Sequence, residues 1–262
     1  MTSPLLEARG LSLQRGGVDV LKNVSLTIQE NDVLALIGSN GSGKTSLMLA
    51  LARLMPVNKG DVFVNGGRVV GKSAELAYRR RLAMVFQEPL LLNGSVASNV
   101  ATGLALRSMP RQVLQERVDE ALELFGITGL SRRSAHSLSS GEARRVSLAR
   151  AFAMRPEMIF LDEPFTALDL PLRDALFLQL SKLLNSKGIT AVIATHDCRE
   201  VLQLCNRMAV MNKGRLIRSG APDDVLADPP DDFSAAFARH ANSSNVRSQK
   251  GFPHIWAIPE PA

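Results

Sequence analysis

One uninterrupted stretch, Gly38, Ser39, Asn40, Gly41, Ser42, Gly43, Lys44 and Thr45, constrains this chain more than any other. It matches the pattern GxxxxGK[ST] at every fixed position. Its surroundings suit the pattern as well. The continuous apolar run Val33-Leu-Ala-Leu-Ile37 precedes it, and a helical stretch from Lys44 to about Leu54 follows. Strand, loop and helix in that order open an α/β core. Glycines at these places let backbone amides turn inward around phosphate oxygens, and the start of the helix adds partial positive charge. Lys44 would reach the β and γ phosphates, and the Thr45 hydroxyl would ligate Mg²⁺. Ser46 completes the expected nucleotide-binding set.

Two further apolar runs, Met158 to Leu161 and Ile189 to Ala194, have the length of buried strands. Between them, Leu172, Leu176, Leu180 and Leu183 keep helical spacing, and Pro171 suits a first helical turn. Strand–helix–strand order predicts a parallel sheet with right-handed crossovers. Asp162 and Glu163 close the first of these runs. An aspartate there can hold Mg²⁺ through its water shell, and the next glutamate is placed to orient or deprotonate an attacking water. The first 30 residues read differently. Leu11-Ser-Leu13 and Val24-Ser-Leu26-Thr-Ile28 alternate as half-buried antiparallel strands do, with Gly16-Gly17 as the turn. Residues 88 to 155 contain two helical stretches, Gln112 to Phe125 and Gly141 to Met154, and predict a helical subdomain inserted in the core. The tail after about residue 241 is expected to be a loose extension.

Composition sets limits. Hydrophobic residues make up 45% and charged residues 21%, ordinary for a chain that buries a core. The net charge of +6 fits either an anionic partner surface or a generally basic exterior. No apolar run approaches the roughly 18–20 residues of a membrane-spanning helix. The N-terminus lacks a basic region followed by an apolar stretch, so a cytoplasmic location is expected. Cys198 and Cys205 read as reduced thiols on one side of a helix, not as ligands or a disulfide.

The remaining motifs carry a family resemblance. Leu138-Ser139-Ser140-Gly141-Glu142 resembles the LSGGQ signature of ABC ATPases, with departures at Ser140 and Glu142. Gln87, ending Met84-Val-Phe-Gln, looks like the Q-loop. Ala167-Leu168-Asp169 looks like the D-loop, and His196 in Ala-Thr-His-Asp like the switch histidine. They occur in the family's order, and the match covers roughly residues 5 to 240. The resemblance implies a P-loop NTPase of the ABC type, with an N-terminal antiparallel β subdomain and an inserted helical subdomain. It implies two cassettes, here a homodimer, sandwiching two ATPs. Ser139, the Gly141 amide and Asp169 of one chain would then meet the nucleotide of the other. His196 would bond the γ-phosphate, and Gln87 would sense Mg²⁺ and the water. Where the family places an aromatic residue for adenine, this chain has Arg15, which either stacks on the base, for about 0.5–1 kcal/mol, or is simply solvated. Val20 would add apolar contact.

With no fused membrane domain, and with Arg133-Ser-Ala-His136-Ser before the signature in place of a TxVGExG-like stretch, the chain resembles importer motors. These sit at the inner face of the membrane on separate permease subunits, in systems with an extracytoplasmic substrate-binding protein. Exporter motors and soluble ABC proteins are the competing classes. The stretch from Lys44 to Gly141 is too short for the coiled coil of the repair types, and no nucleic-acid partner is expected. The segments Phe86-Gln-Glu-Pro-Leu-Leu-Leu-Asn-Gly-Ser-Val96 and Asn99 to Arg107 resemble tungstate and related oxyanion importers. Replacing Lys44 by Ala removes the cation of the glycine-rich loop and leaves its amides. ATP turnover should be abolished, measured beside ATP affinity, and near-normal turnover would refute the assignment.

Overall fold

The computed structural model describes residues 4–166 and 168–243. In chain order the elements are β1 (Leu6–Arg15), β2 (Val18–Ile28), β3 (Val33–Ile37), α1 (Lys44–Leu51), β4 (Lys59–Val64), β5 (Gly67–Arg68) and α2 (Lys72–Arg79). Next come β6 (Leu82–Val85), α3 (Val96–Ala105), α4 (Arg111–Leu124), α5 (Ser140–Phe152), β7 (Met158–Asp162) and α6 (Leu170–Lys187). The last are β8 (Thr190–Ala194), α7 (Cys198–Leu204), β9 (Arg207–Asn212), β10 (Arg215–Gly220), α8 (Pro222–Ala227) and α9 (Asp232–Ser243).

The strands form two sheets. One is antiparallel, in the order β2-β1-β4-β5; the other runs β10-β9-β3-β8-β7-β6. Within the second, β9, β3, β8, β7 and β6 are parallel, and β10 adds an antiparallel edge. Side chains of a strand alternate between its faces, and β3 uses both. Val33, Ala35 and Ile37 face a core shared with α3 to α7 and α9. Leu34 and Leu36 face a second core, shared with α1 and the antiparallel sheet. Strand β7 divides likewise, Ile159 and Leu161 to the first core, Met158 and Phe160 to the second. A strand covered on both faces reads as an unbroken apolar run, which is why β3, β7 and β8 stand out in the sequence.

Several expectations need adjusting. Helix α1 stops at Leu51, because Arg53 takes a left-handed conformation (φ 54°) that the helix cannot continue through. Helix α9 runs to Ser243, and Ala241, about where the loose tail was expected to begin, is fully buried. Residues 244–262, where the rest of the expected loose tail falls, lie outside the described residues, as does Ala167. Three α-helices, two single-turn 3-10 helices and, among the described residues, no strand lie between β6 and β7. Both cysteines are buried, Cys198 at the start of α7 and Cys205 at its C-cap. Among the described residues no helix is long and apolar enough to cross a membrane.

Parallel order brings the C-terminal ends of β3, β6, β7 and β8 to one edge of the sheet. The Gly38 loop, Gln87, Asp162 with Glu163, and His196 follow those four ends in turn. Ligands of open α/β sheets bind at this edge, where strand order reverses direction.

Candidate functional site

These loops enclose a cavity of about 740 Å³. Its walls include Gly38, Ser39, Asn40, Gly41, Gly43, Lys44, Thr45 and Ser46, with Val20, Gln87, Asp162, Glu163, His196 and Phe233. The glycine-rich loop is drawn tightly over β9. At Gly38 (φ 151°) a Cβ would stand 2.2 Å from the Met211 carbonyl oxygen, so that position admits no side chain. Gly43 is the N-cap of α1, and no side chain caps the helix there. No acidic residue lies in its first turn. The first-turn amides are therefore left for an anion.

Three charged groups meet at the floor of the cavity. The Lys44 ammonium donates to the carbonyl oxygens of Gly38 (2.8 Å) and Ser39 (3.2 Å). Burial pushes its pKa down, and the carboxylates of Glu163 and Asp162 oppose that. The Thr45 hydroxyl donates to Asp162 Oδ2 at 2.8 Å. Burial raises the Asp162 pKa, against the pull of the Thr45 hydrogen bond. Glu163 has φ 46°, left-handed for a side chain with a Cβ. Its amide, bonded to the Ala194 carbonyl at 3.0 Å, holds that conformation, and its carboxylate accepts from Gln87 Nε2 and the Thr166 hydroxyl, each at 3.1 Å. His196 Nδ1 lies 3.5 Å from the other carboxylate oxygen. Strained backbone of this kind, costing on the order of 1–3 kcal/mol, gathers where a reacting group must be aimed.

The groups present fit a triphosphate with Mg²⁺. Uncapped amides and Lys44 suit phosphate oxygens. The paired Thr45 and Asp162 oxygens are hard ligands of the sort Mg²⁺ takes alongside phosphates and water. The Ser42 hydroxyl is buried in the loop with no hydrogen-bond partner, so the loop holds a polar atom still to be satisfied.

Five residues of the expected set are not among those lining the cavity: Arg15, Ser42, Ser139, Gly141 and Asp169. Ser42 is buried within the loop itself. Arg15 ends β1 beside the Gly16-Gly17 turn and is exposed; from this hairpin it is Val20 that reaches the wall. Ser139 and Asp169 are helix caps. The Ser139 hydroxyl accepts from the Glu142 amide at 3.3 Å, and the Glu142 carboxylate accepts from the Ser139 amide at 2.7 Å. That reciprocal pair is a capping box, and it gives the acidic departure at Glu142 a structural role that glutamine would also fill. The Ser139 amide is the main cause holding the Glu142 carboxyl below its ordinary pKa. Asp169 caps α6 by accepting from the Leu172 amide at 2.9 Å. Gly141 is packed against that same turn: a Cβ on it would stand 2.2 Å from Leu172 Cδ2.

Sequence reasoning missed three participants. Thr166 anchors Glu163. Phe233, near the start of α9, packs on the first core and lines the cavity. Arg144 of α5 is almost fully buried and donates to the carbonyl oxygens of Phe86 (2.7 Å) and Gln87. Neither Phe233 nor Arg144 has a spacing that announces it.

Together the fold and the site define a phosphate-binding-loop NTPase with a helical insert between two strands of its sheet. The chain belongs to the ABC transporter family, whose pattern matches residues 21–166. It is 39% identical over 243 residues to the Fe(3+) ions import ATP-binding protein of Streptomyces coelicolor, covering 92% of this chain and 69% of that protein. It is 36% identical to the putrescine transport ATP-binding protein of Escherichia coli, covering 92% and 63%. To the sulfate/thiosulfate import ATP-binding protein of Nitrosomonas europaea it is also 36% identical, covering 96% and 69%. Among solved structures, cbiO1 of Clostridium perfringens, part of an ABC transporter complex, superposes with a TM-score of 0.78 at 29% identity, covering 94% of this chain and 97% of that one. A dimeric ATP-binding cassette in a post-hydrolysis state, bound to ADP and Pi, superposes at 0.76 with 25% identity, covering 82% and 98%.

The fit at Gly141 generates a prediction. The atom a Cβ would meet is the end of the half-buried Leu172 side chain, which can turn aside, and Ala is the better helix former by up to about 1 kcal/mol. Gly141→Ala should therefore change the stability of the single chain by about 1 kcal/mol or less, checked by urea denaturation without nucleotide. A loss of about 3 kcal/mol would show instead that Leu172 cannot move.

Proposed function

We propose that this chain is the ATP-hydrolysing motor of an importer, working as a pair of identical cassettes on separate permease subunits at the inner face of a membrane. One observation carries the reading. Lys44, Thr45, Asp162, Glu163, Gln87 and His196 converge on one cavity, whereas Ser139 and Gly141 are not among the residues lining the cavity of their own chain. A second copy, turned head to tail, would supply those two to the nucleotide, and both halves would then work at each of two equivalent sites.

The roles follow from the geometry. The α1 amides and Lys44 would hold the phosphates, while Thr45 and Asp162 would hold Mg²⁺. When bound, the ion supplies charge neutralisation across the phosphate oxygens. Glu163 would take the proton of the attacking water. Gln87, donating to the same carboxylate, and His196 beside it would keep that water and the terminal phosphate in line. Lys44 and the amides stabilise charge that spreads over the phosphoryl oxygens as transfer proceeds.

The similar proteins, import ATP-binding proteins for iron(III) ions and for sulfate or thiosulfate, support import over export. Leu90 and Leu92, just after Gln87, are exposed, while Leu91 packs on the core. The buried Asn99 amide bonds the Leu92 backbone at 2.7 and 3.0 Å and holds this apolar corner in shape for a permease helix. For the cargo we infer an oxyanion such as tungstate, on the likeness of residues 86–107 and the sulfate/thiosulfate relative. A binding protein outside the membrane would select it, since the cassette does not touch cargo.

Glu163→Gln keeps the size and hydrogen bonding of the side chain but removes the proton acceptor. Turnover should fall at least 10²–10⁴-fold with ATP affinity retained. The surviving γ-phosphate would join Lys44 of one chain to Ser139 and Gly141 of the other, and a ligand shared by two chains favours their pairing. Gel filtration of the variant should show a dimer with MgATP and a monomer with ADP. Wild-type turnover, or a monomer at saturating MgATP, would count against the proposal.

A further inference from the structure

His196 lies against Glu163, yet its imidazole is 64% exposed. Packing does not hold it, so its position is set by the backbone on either side. Both flanking residues are tied down. Thr195 donates its hydroxyl to the Glu200 carboxylate and accepts from the Asp197 amide at 3.0 Å, while its own amide donates to the Leu36 carbonyl at 3.3 Å. Asp197 caps α7, accepting from the Arg199 amide at 2.7 Å. The two carboxylates of this loop, Asp197 and Glu200, converge on one guanidinium, that of Arg173 in the first turn of α6. Arg173 Nη2 donates to Asp197 Oδ2 and, at 3.1 Å, to Glu200 Oε1.

Glu200 is buried, and burial raises its pKa; Thr195 and Arg173 both act against that. Both carboxylates accept from one nitrogen of the guanidinium, Nη2, so a single cation holds the two acids together. A second pair runs between the same two helices, from Arg199 Nη1 to Asp174 Oδ1 at 2.8 Å, with the Arg199 guanidinium 5.3 Å from the centre of the Phe177 ring. None of Arg173, Asp197 and Glu200 is among the residues lining the cavity. The network therefore lies behind the reacting groups, not among them.

We infer that Arg173 is a positioning residue: by clamping Asp197 and Glu200 to α6 it fixes the loop that carries His196 and so holds the imidazole beside Glu163. This rests on the proposed hydrolysis of ATP at this cavity. Releasing the clamp leaves Lys44, Thr45 and the α1 amides untouched, so nucleotide binding survives while the alignment of His196 is lost. Small displacements of an aligning group lower turnover steeply.

The test uses the full chain with Arg173→Met, Arg173→Lys and Asp197→Asn, recording kcat and KM for MgATP together with the melting temperature. Arg173→Met should lower kcat by about 10- to 100-fold, with KM within about twofold of wild type. Arg173→Lys should recover part of that loss, and Asp197→Asn, which removes one charged partner and keeps the shape, should reproduce part of it. A KM that rises with kcat unchanged overturns the inference. So does a loss of kcat that appears only as the melting temperature falls to the assay temperature, because Arg173 would then act through overall stability. Wild-type protein without MgATP turnover would instead overturn the underlying reading, and this inference with it.

Discussion

A buried ammonium facing two carboxylates is the constraint around which the rest of this structure is arranged. Lys44, Asp162 and Glu163 leave bulk water on folding, and none could do so alone, because an unpaired buried charge costs several kcal/mol. Lys44 is satisfied by the Gly38 and Ser39 carbonyls and by the field of the two acids. Asp162 is satisfied by Thr45, and Glu163 by Gln87 and Thr166. Thr166 follows β7 in the same turn as Glu163, and the other partners stand just past β3, just past β6 or at the start of α1. The sheet order brings them together, and the apolar faces of β3, β7 and β8 sustain that order.

Much of this was legible in the chain, and the reason is physical. Strands covered on both faces must be apolar throughout, so β3, β7 and β8 appear as runs. A loop that wraps phosphate needs glycine at fixed intervals, so it appears as a motif. The antiparallel β1 and β2 show the alternation of strands with one face buried. Less legible were β4, β6 and the β9–β10 hairpin, which are short or carry no turn signature strong enough to stand out.

The site divides in the same way. Lys44, Thr45, Asp162 and Glu163 lie next to runs that mark them, and the structure brings them to one cavity. Arg144 reaches the Gln87 carbonyl from 57 positions away, and a side chain bonding to a distant backbone leaves no periodicity to read. Phe233 lines the cavity from α9, and just ahead of that helix Asp231 accepts from Asn212 at the end of β9 at 2.8 Å; both placements are tertiary. Arg15 illustrates the opposite case. A position inferred from resemblance ends a strand at an exposed turn, and the wall nearby is made by Val20. Glu142 looked like a weakened signature residue, yet locally it completes a helix cap.

Arg144 has a consequence for timing. It belongs to the helix that begins at the signature segment, and it grips the main chain at Gln87, whose amide reaches Glu163. If Ser139 and Gly141 meet a neighbour's nucleotide as proposed, a helical insert tied in this way would carry Gln87 along with them. In a two-chain sandwich one swing of the insert would advance both contacts in the same stroke, and the two sites would keep common time without any signal passing through the nucleotides themselves.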